Sequence, residues 1–296
     1  MKILRKILFY FSLACGVLLL SLTITIFLFQ DKIINQFIRE ANKQLNTPVK
    51  IGKIEVSVWR QFHKLPIVMG DVYVEDSHPG QYPLLTAEEV SFQLNLKDVW
   101  NENYIIHGLQ IRDSETNLKI NATGENNYTI AKSTGKKETG AVSFELDRVK
   151  LKNTRVHYTD LSAAHEHTFT SKDLIASIQS TNDLYTISVS GEVTTEKIKV
   201  NERSFLAGKS FQAESKLVYD DARKILFIKP SQLQLKSAEF SVSGEYGWKG
   251  KNSIDLTTEA KNADIQTLLS LLPESASKSL EQYQSKGDVY FKAKLK

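Results

Sequence analysis

Phe240-Ser241-Val242-Ser243-Gly244-Glu245-Tyr246 places an apolar, aromatic or glycine residue at every second position and a polar one between. A strand turns successive side chains to opposite faces, so this period of two predicts one apolar face and one solvated face. The same period runs outward in both directions. Downstream, Ile254, Leu256 and Thr258 share a face, as do Val289, Phe291, Ala293 and Leu295. Upstream, Leu233 and Leu235 repeat it, then Phe211, Ala213, Ser215 and Leu217, then Tyr185, Ile187, Val189 and Val193 around Gly191. Ser143–Leu151 and Arg155–Thr159 open this second run of strands, and a mixed stretch covers Thr168–Gln179. Alternation over so many consecutive strands predicts antiparallel sheet with a single apolar face.

Nearer the N-terminus the pattern starts at Val49, where Ile54, Val56 and Val58 alternate with Glu55 and Ser57 and Gly52 suggests a bulge. Ile67–Glu75, Glu89–Lys97, Tyr104–Arg112 and Asn117–Asn121 follow as expected strands. His78-Pro79-Gly80, Asp98–Asn103 and Asp113–Thr116 have turn composition between them. Ser133–Gly140 is the low-complexity segment of the chain and divides it into a first β-unit, 49–132, and a second, 141–296. One helical interruption is expected at Asp264–Leu272, stopped by Pro273, with Ser277–Tyr283 adding a turn or two. The chain stops at Lys296 inside a well-formed strand pattern, so the intact protein is expected to continue.

Ahead of the sheet, residues 7–29 form an uncharged apolar run, with Lys2, Arg5 and Lys6 in the short segment 1–6 before it. At a rise of about 1.5 Å per residue it spans roughly 35 Å, enough to cross a bilayer core of about 30 Å. It is too long for a secretory h-region and ends in Ile26-Phe27-Leu28-Phe29-Gln30, without a small-residue cleavage site. The run is therefore expected to stay as an anchor. The denser positive charge on its N-terminal side predicts that 1–6 is cytoplasmic and the rest lies across the membrane. Residues 30–46 then carry Ile33, Ile34, Phe37, Ile38, Ala41 and Leu45 as a helical stripe, expected to cover the end of the following sheet or lie on the membrane surface.

With 38 basic and 34 acidic residues the net charge is +4, too balanced for a nucleic-acid surface. The one cysteine lies in the anchor, which excludes an intrachain disulfide and any cysteine-based metal site. Asp160, His165 and His167 come nearest to a metal set, but no third histidine accompanies them, so a solvated hairpin is the expected reading. No nucleophile elbow, phosphate loop, Ser-x-x-Lys pair or His-Glu-x-x-His is present. The expectation is a chain that is no enzyme and holds no cofactor or metal.

Taken in order along the chain, these features resemble the amino-terminal region of the AsmA family, bacterial envelope proteins related to TamB and the chorein-type bridge proteins. The likeness is carried by the anchor, the amphipathic stripe and Pro48-Val49-Lys50-Ile51-Gly52-Lys53-Ile54-Glu55-Val56. It continues through Pro83–Val90, Ile105–Ile111, Val149–Asp160 with its Tyr158-Thr159-Asp160 ending, and Leu268–Pro273 before Gly287. It covers nearly the whole chain, through degenerate strand patterns with a few fixed Gly, Pro and Asp.

The resemblance implies an inner-membrane protein with its bulk in the periplasm, and strands stacked into a curled groove (the β-taco shape) with a few short amphipathic helices. It also implies support of outer-membrane biogenesis by carrying phospholipid acyl chains between membranes, with an envelope assembly protein as a possible partner. The groove candidates are Phe144, Leu146, Tyr185, Ile187, Val189 and Phe211, followed by Leu217, Phe240, Val242, Ile254, Leu256, Val289 and Phe291. Alternation alone serves equally for a closed β-sandwich, which would make the protein a membrane-anchored scaffold or regulator of envelope assembly without lipid cargo.

Overall fold

A computed structural model describes residues 38–39, 42–43, 45–56, 64–78, 80, 82–95, 97–98, 101, 104–130, 142–144, 148–181, 183–201, 203–220, 222–247, 253–271 and 287–296. The anchor at 7–29, most of the amphipathic stripe, the 133–140 segment and Ser277–Tyr283 lie outside them. Among the described residues no helix is long and apolar enough to cross a membrane.

The first strands are β1 (Val49–Val56), β2 (Lys64–Glu75), β3 (Pro83–Asn95), β4 (Tyr104–Ile120), the short β5 (Val142–Phe144), β6 (Val149–Asp160) and β7 (His165–Thr181). After them come β8 (Leu184–Val200), the short β9 (Arg203–Phe205), β10 (Lys209–Asp220), β11 (Ile225–Leu235), β12 (Ala238–Gly247), β13 (Ser253–Asp264) and β14 (Asp288–Leu295). All belong to one curled, unclosed sheet. Its path is β1-β2-β3-β4-β6-β7-β8-β10-β11-β12-β13-β14, with β5 on β4 and β9 on β8 at the margin.

Pairing is antiparallel except where β4 meets β5 and β6, which run parallel to it. The antiparallel expectation therefore fails at this seam. A parallel neighbour requires a crossover, and residues 121–148 return the chain to the end from which β4 began. The first part of that crossover is pinned over the β2–β3 end of the sheet by Asn127, which is wholly buried. Its Nδ2 donates to Asp76 Oδ2 (3.1 Å) and to the Asn117 carbonyl (2.8 Å), while its Oδ1 accepts from the Lys119 amide (2.7 Å). The Asn46 amide donates to the Ile130 carbonyl at 2.7 Å, tying in the start of β1.

Six strands carry one residue outside the ladder at a common level. Gly52 and Asp71 fall between the pairs Ile51↔Val72 and Lys53↔Gly70. Glu88, Asp113, Asn153 and Lys172 continue the line across β3, β4, β6 and β7. Asp71, Asp113 and Asn153 take φ of 52°, 50° and 48°, a left-handed conformation that Asp and Asn tolerate better than other side chains with a Cβ. Each extra residue resets the phase of its strand. Met69 and Val72 are both buried although three apart, and so are Ala87 and Val90.

This crease explains where the expected strands broke wrongly. Asp113–Thr116 is no turn, because β4 runs unbroken through it. Thr168–Gln179 lies within the single strand β7, and Arg155–Thr159 lies within β6. Ser143–Leu151 is not one strand, since β5 ends at Phe144 and β6 starts at Val149.

Two apolar clusters sit on the same side of the sheet, one near each edge. The first gathers Leu65, Ile67, Phe92, Leu94 and Ile106 with their neighbours, and Ile38 of the N-terminal stripe packs against it. The second cluster centres on Phe211, Leu235, Phe240 and Ala260, with Leu268 and Leu271 laid on it. Leu268 belongs to α1 (Ile265–Leu269), shorter than the expected helix, which starts where Asp264 accepts from the Thr267 amide at 2.7 Å.

Candidate functional site

Following the register from strand to strand reveals the organising feature of the inner side. On the first six strands of the path it links Ile54, Met69, Val90, Ile111, Leu151 and Leu174. On the other six it continues through Gly191, Ala213, Leu233, Phe240, Ala260 and Phe291. Cross-strand partners share a face, so one apolar row crosses the whole sheet without a polar residue. Eleven ladder steps of about 4.8 Å make it roughly 53 Å along the sheet. A second row, Ile178-Ile187-Leu217-Ile228-Gly244-Leu256-Leu295, runs beside it over the later strands.

The two rows differ in cover. Phe211 and Phe240 are buried in the second cluster. Ile187, Val189, Leu217, Val242, Ile254, Leu256, Val289 and Phe291 are half-buried, and Tyr185 is 37% exposed. Nothing is described for the Phe144 and Leu146 side chains. Ile178 is 39% exposed, and Val149 is the one buried hydrophobic of β6, β7 and β8 among the described residues. A second sheet packed face to face would bury these central strands, so their apolar side stands open.

Several lining residues escaped sequence reasoning for local reasons. Ile225-Leu226-Phe227-Ile228 has no alternation, so its inward members could not be chosen, although Leu226 pairs with Tyr219 and Ile228 with Leu217. Leu174 and Ile178 were hidden by the phase reset in β7. Gly244 fits its row for a backbone reason: at φ +146°, a Cβ would stand 2.0 Å from the Asp255 carbonyl oxygen.

Hydroxyls accompany the apolar row without breaking it. Ser114 Oγ and Thr154 Oγ1 are 2.9 Å apart and buried, Ser171 Oγ donates to the Glu192 carbonyl at 2.6 Å, and Ser215 and Ser231 join at 2.9 Å. Each hydroxyl is satisfied within the sheet, which keeps its burial inexpensive.

His165 and His167 do project together, with ring centroids 5.8 Å apart. His167 stacks on Tyr158 at 5.7 Å and tilts against Phe169 at 6.2 Å. Burial, followed by the neighbouring His165, holds the His167 pKa below the usual histidine value. Burial also pushes the Tyr158 phenol up to about 12, with help from Asp160, Tyr128 and Tyr246. Asp160 is occupied as a turn cap, accepting from the Ser162 amide (2.9 Å) and hydroxyl (2.6 Å) and the Ala163 amide (3.0 Å). Among the described residues no group of three or more His, Cys, Asp or Glu is arranged to hold a metal ion.

The opposite side of the sheet is polar. One cleft of about 640 Å³ follows the crease past Asp71, Glu88, Asp113, Glu115 and Asn153. There Asn153 Nδ2 donates to Asp113 Oδ1 at 2.9 Å, and Arg112 bridges Glu89 (2.8 Å) and Asp113 (3.2 Å). The sheet thus separates an apolar side from a charged one.

The chain matches no protein-family model, and no curated protein or solved structure matches it either.

Proposed function

We propose that this protein carries lipid acyl chains along the open apolar side of its sheet. It works as an AsmA-like protein held in the bacterial inner membrane by residues 7–29, with its β-sheet in the periplasm supporting outer-membrane biogenesis. The carrying observation is the twelve-residue apolar row on a sheet with unpaired edges, its middle from Ile111 to Leu233 only half-buried and flanked by the exposed Ile178 and Tyr185. The anchor, the stripe and the strand order quoted above support the cellular setting.

A continuous apolar surface suits a tail better than a headgroup. Burying a methylene is worth about 0.8 kcal/mol, so a chain of about sixteen carbons gains on the order of 10 kcal/mol before ordering costs. Recognition then depends little on any one side chain and tolerates varied headgroups. A charge on the apolar side is different, because an unpaired ion against a tail has no compensating partner.

Native mass spectrometry with lipid extraction on residues 31–296, prepared without detergent, tests the reading. Co-purifying phospholipid that is lost in Val242→Asp, with folding retained, is the expected result. A folded, lipid-free protein would refute it and direct attention to a protein partner on the envelope assembly machinery.

A further inference from the structure

We propose that a single acyl chain lies along the strands between β7 and β11, its methyl end over Gly191 and Ala213 and its polar end at the Tyr185–Tyr219 lip. This rests on the lipid-carrying reading above and assigns the seat within it. Near both edges the apolar row is covered by the chain's own side chains: Met69 and Val90 are 8% and 6% exposed, and Phe240 is 6% exposed. Between them, beside the row on β7 and β8, Ile178 and Tyr185 remain 39% and 37% exposed, and no described segment covers them.

The shape of this window selects its occupant. Gly191 and Ala213 are direct partners, flanked in the same row by Leu174 and Leu233, so the row dips where they meet. From Gly191 to Tyr185 the strand advances six residues, about 20 Å at roughly 3.3 Å each. One lipid tail spans about 15 Å, half of a bilayer core about 30 Å thick. Ile187 and Leu217 pair midway along this path, and Val189 pairs with Ser215. At its end the Tyr185 and Tyr219 rings stack with centroids 6.0 Å apart. Tyrosine joins an apolar ring to a polar hydroxyl, which suits the boundary between tail and headgroup. Beyond the pair lie Asp220 and the Arg223 side chain joined to it at 2.6 Å, so the polar end meets a charged strand end.

The test uses the full chain in vesicles of phosphatidylethanolamine and phosphatidylglycerol, with a trace of phosphatidylcholine bearing a diazirine at the end of a sixteen-carbon tail. After photolysis, labelled positions are mapped by mass spectrometry. The expected label falls at 174–191 and 211–217. Ala213→Trp, which fills the dip, should cut it about tenfold, equivalent to about 1.4 kcal/mol of affinity, while Ser190→Trp on the polar side leaves it unchanged. Ile187→Lys serves as a second blocking variant should Ala213→Trp fail to fold. Label spread over the buried clusters at 65–94 and 238–263, or indifferent to both blocking variants, overturns the assigned seat and leaves the carrier reading standing. No label anywhere in 49–296 overturns both.

Discussion

The strands at the edges of this sheet and those at its centre are built from one pattern, yet they live in different environments. Leu94 on β3 is fully buried beneath its own cluster, whereas Ile178 on β7 occupies the same side of the sheet and is 39% exposed. Alternation decides which face a residue joins. Whether that face is covered depends on what the rest of the chain brings to it. Here Ile38 covers one end, while Leu268 and Leu271 cover the other. Among the described residues the centre receives no such segment, and that difference is the basis for reading it as a binding surface.

The sharpest way to break this comparison is to cut equal holes in both regions. Phe92 is 3% exposed, and Phe92→Ala should cost about 3–5 kcal/mol through lost burial and a residual cavity. Ile187→Ala, on the half-buried centre, should cost less than about 2 kcal/mol, because water already reaches the site. Urea unfolding of the two variants measures both. Equal losses would mean that the centre is as covered as the edge, and the open-face argument would fail.

A second comparison contrasts glycines that share a left-handed φ. Gly244→Ala places a Cβ 2.0 Å from a carbonyl oxygen at φ +146°, and should lose about 2 kcal/mol or more. Gly208, at φ +69° with open space around it, should lose about 1 kcal/mol on the same change. Thermal melting ranks them. The reverse order would mean that β12 and β13 do not approach as closely as they do in this fold.

A smaller effect is expected at the parallel seam. Asn127→Ala removes the buried partner of the Lys119 amide and of Asp76, at a cost of about 1–3 kcal/mol for groups left unsatisfied. Hydrogen exchange should show the loss concentrated at the 117–127 amides rather than on β10–β14. Uniform loss across the sheet would show that the seam carries no local stability of its own.

How much of this was legible follows from the same contrasts. The strands of the second half were readable because Phe240 to Tyr246 keeps strict period two from one end of β12 to the other. The first half misled at the crease, where Asp113-Ser114 resembles a turn by composition yet only shifts the phase of β4. Met69 with Val72, and Val90 with Ala87, carry the signal that was available: apolar neighbours three apart in otherwise alternating strands, at a level shared by several strands. The β4–β6 pairing had no local signal, since a crossover is a property of two distant segments. Of the proposed lining, Phe211 and Phe240 share the face of the apolar row, but burial at 8% and 6% removes them from the open surface, and sequence periodicity carries no information on cover.

His167 offers the finest test of the open centre, through pH. Its ring lies between Tyr158 of β6 and Phe169, faces His165 and neighbours Glu166 on its own strand, and pairs in register with Ile198 of β8. Because burial depresses its pKa, the folded protein holds His167 neutral where the unfolded chain would already bind a proton. The stability from that neutral ring is complete above the ordinary histidine value near 6.5, and is lost as pH falls through the depressed value. His167→Phe keeps the stacking and removes the titration. Between about pH 7.5 and about pH 5, a range spanning the histidine titration, the melting temperature of the parent should fall further than that of the variant. The gap should be modest, since the ring is only half-buried. Parallel curves would show that His167 is already hydrated in the folded state, extending the open surface from the β7–β8 centre to the turn capped by Asp160.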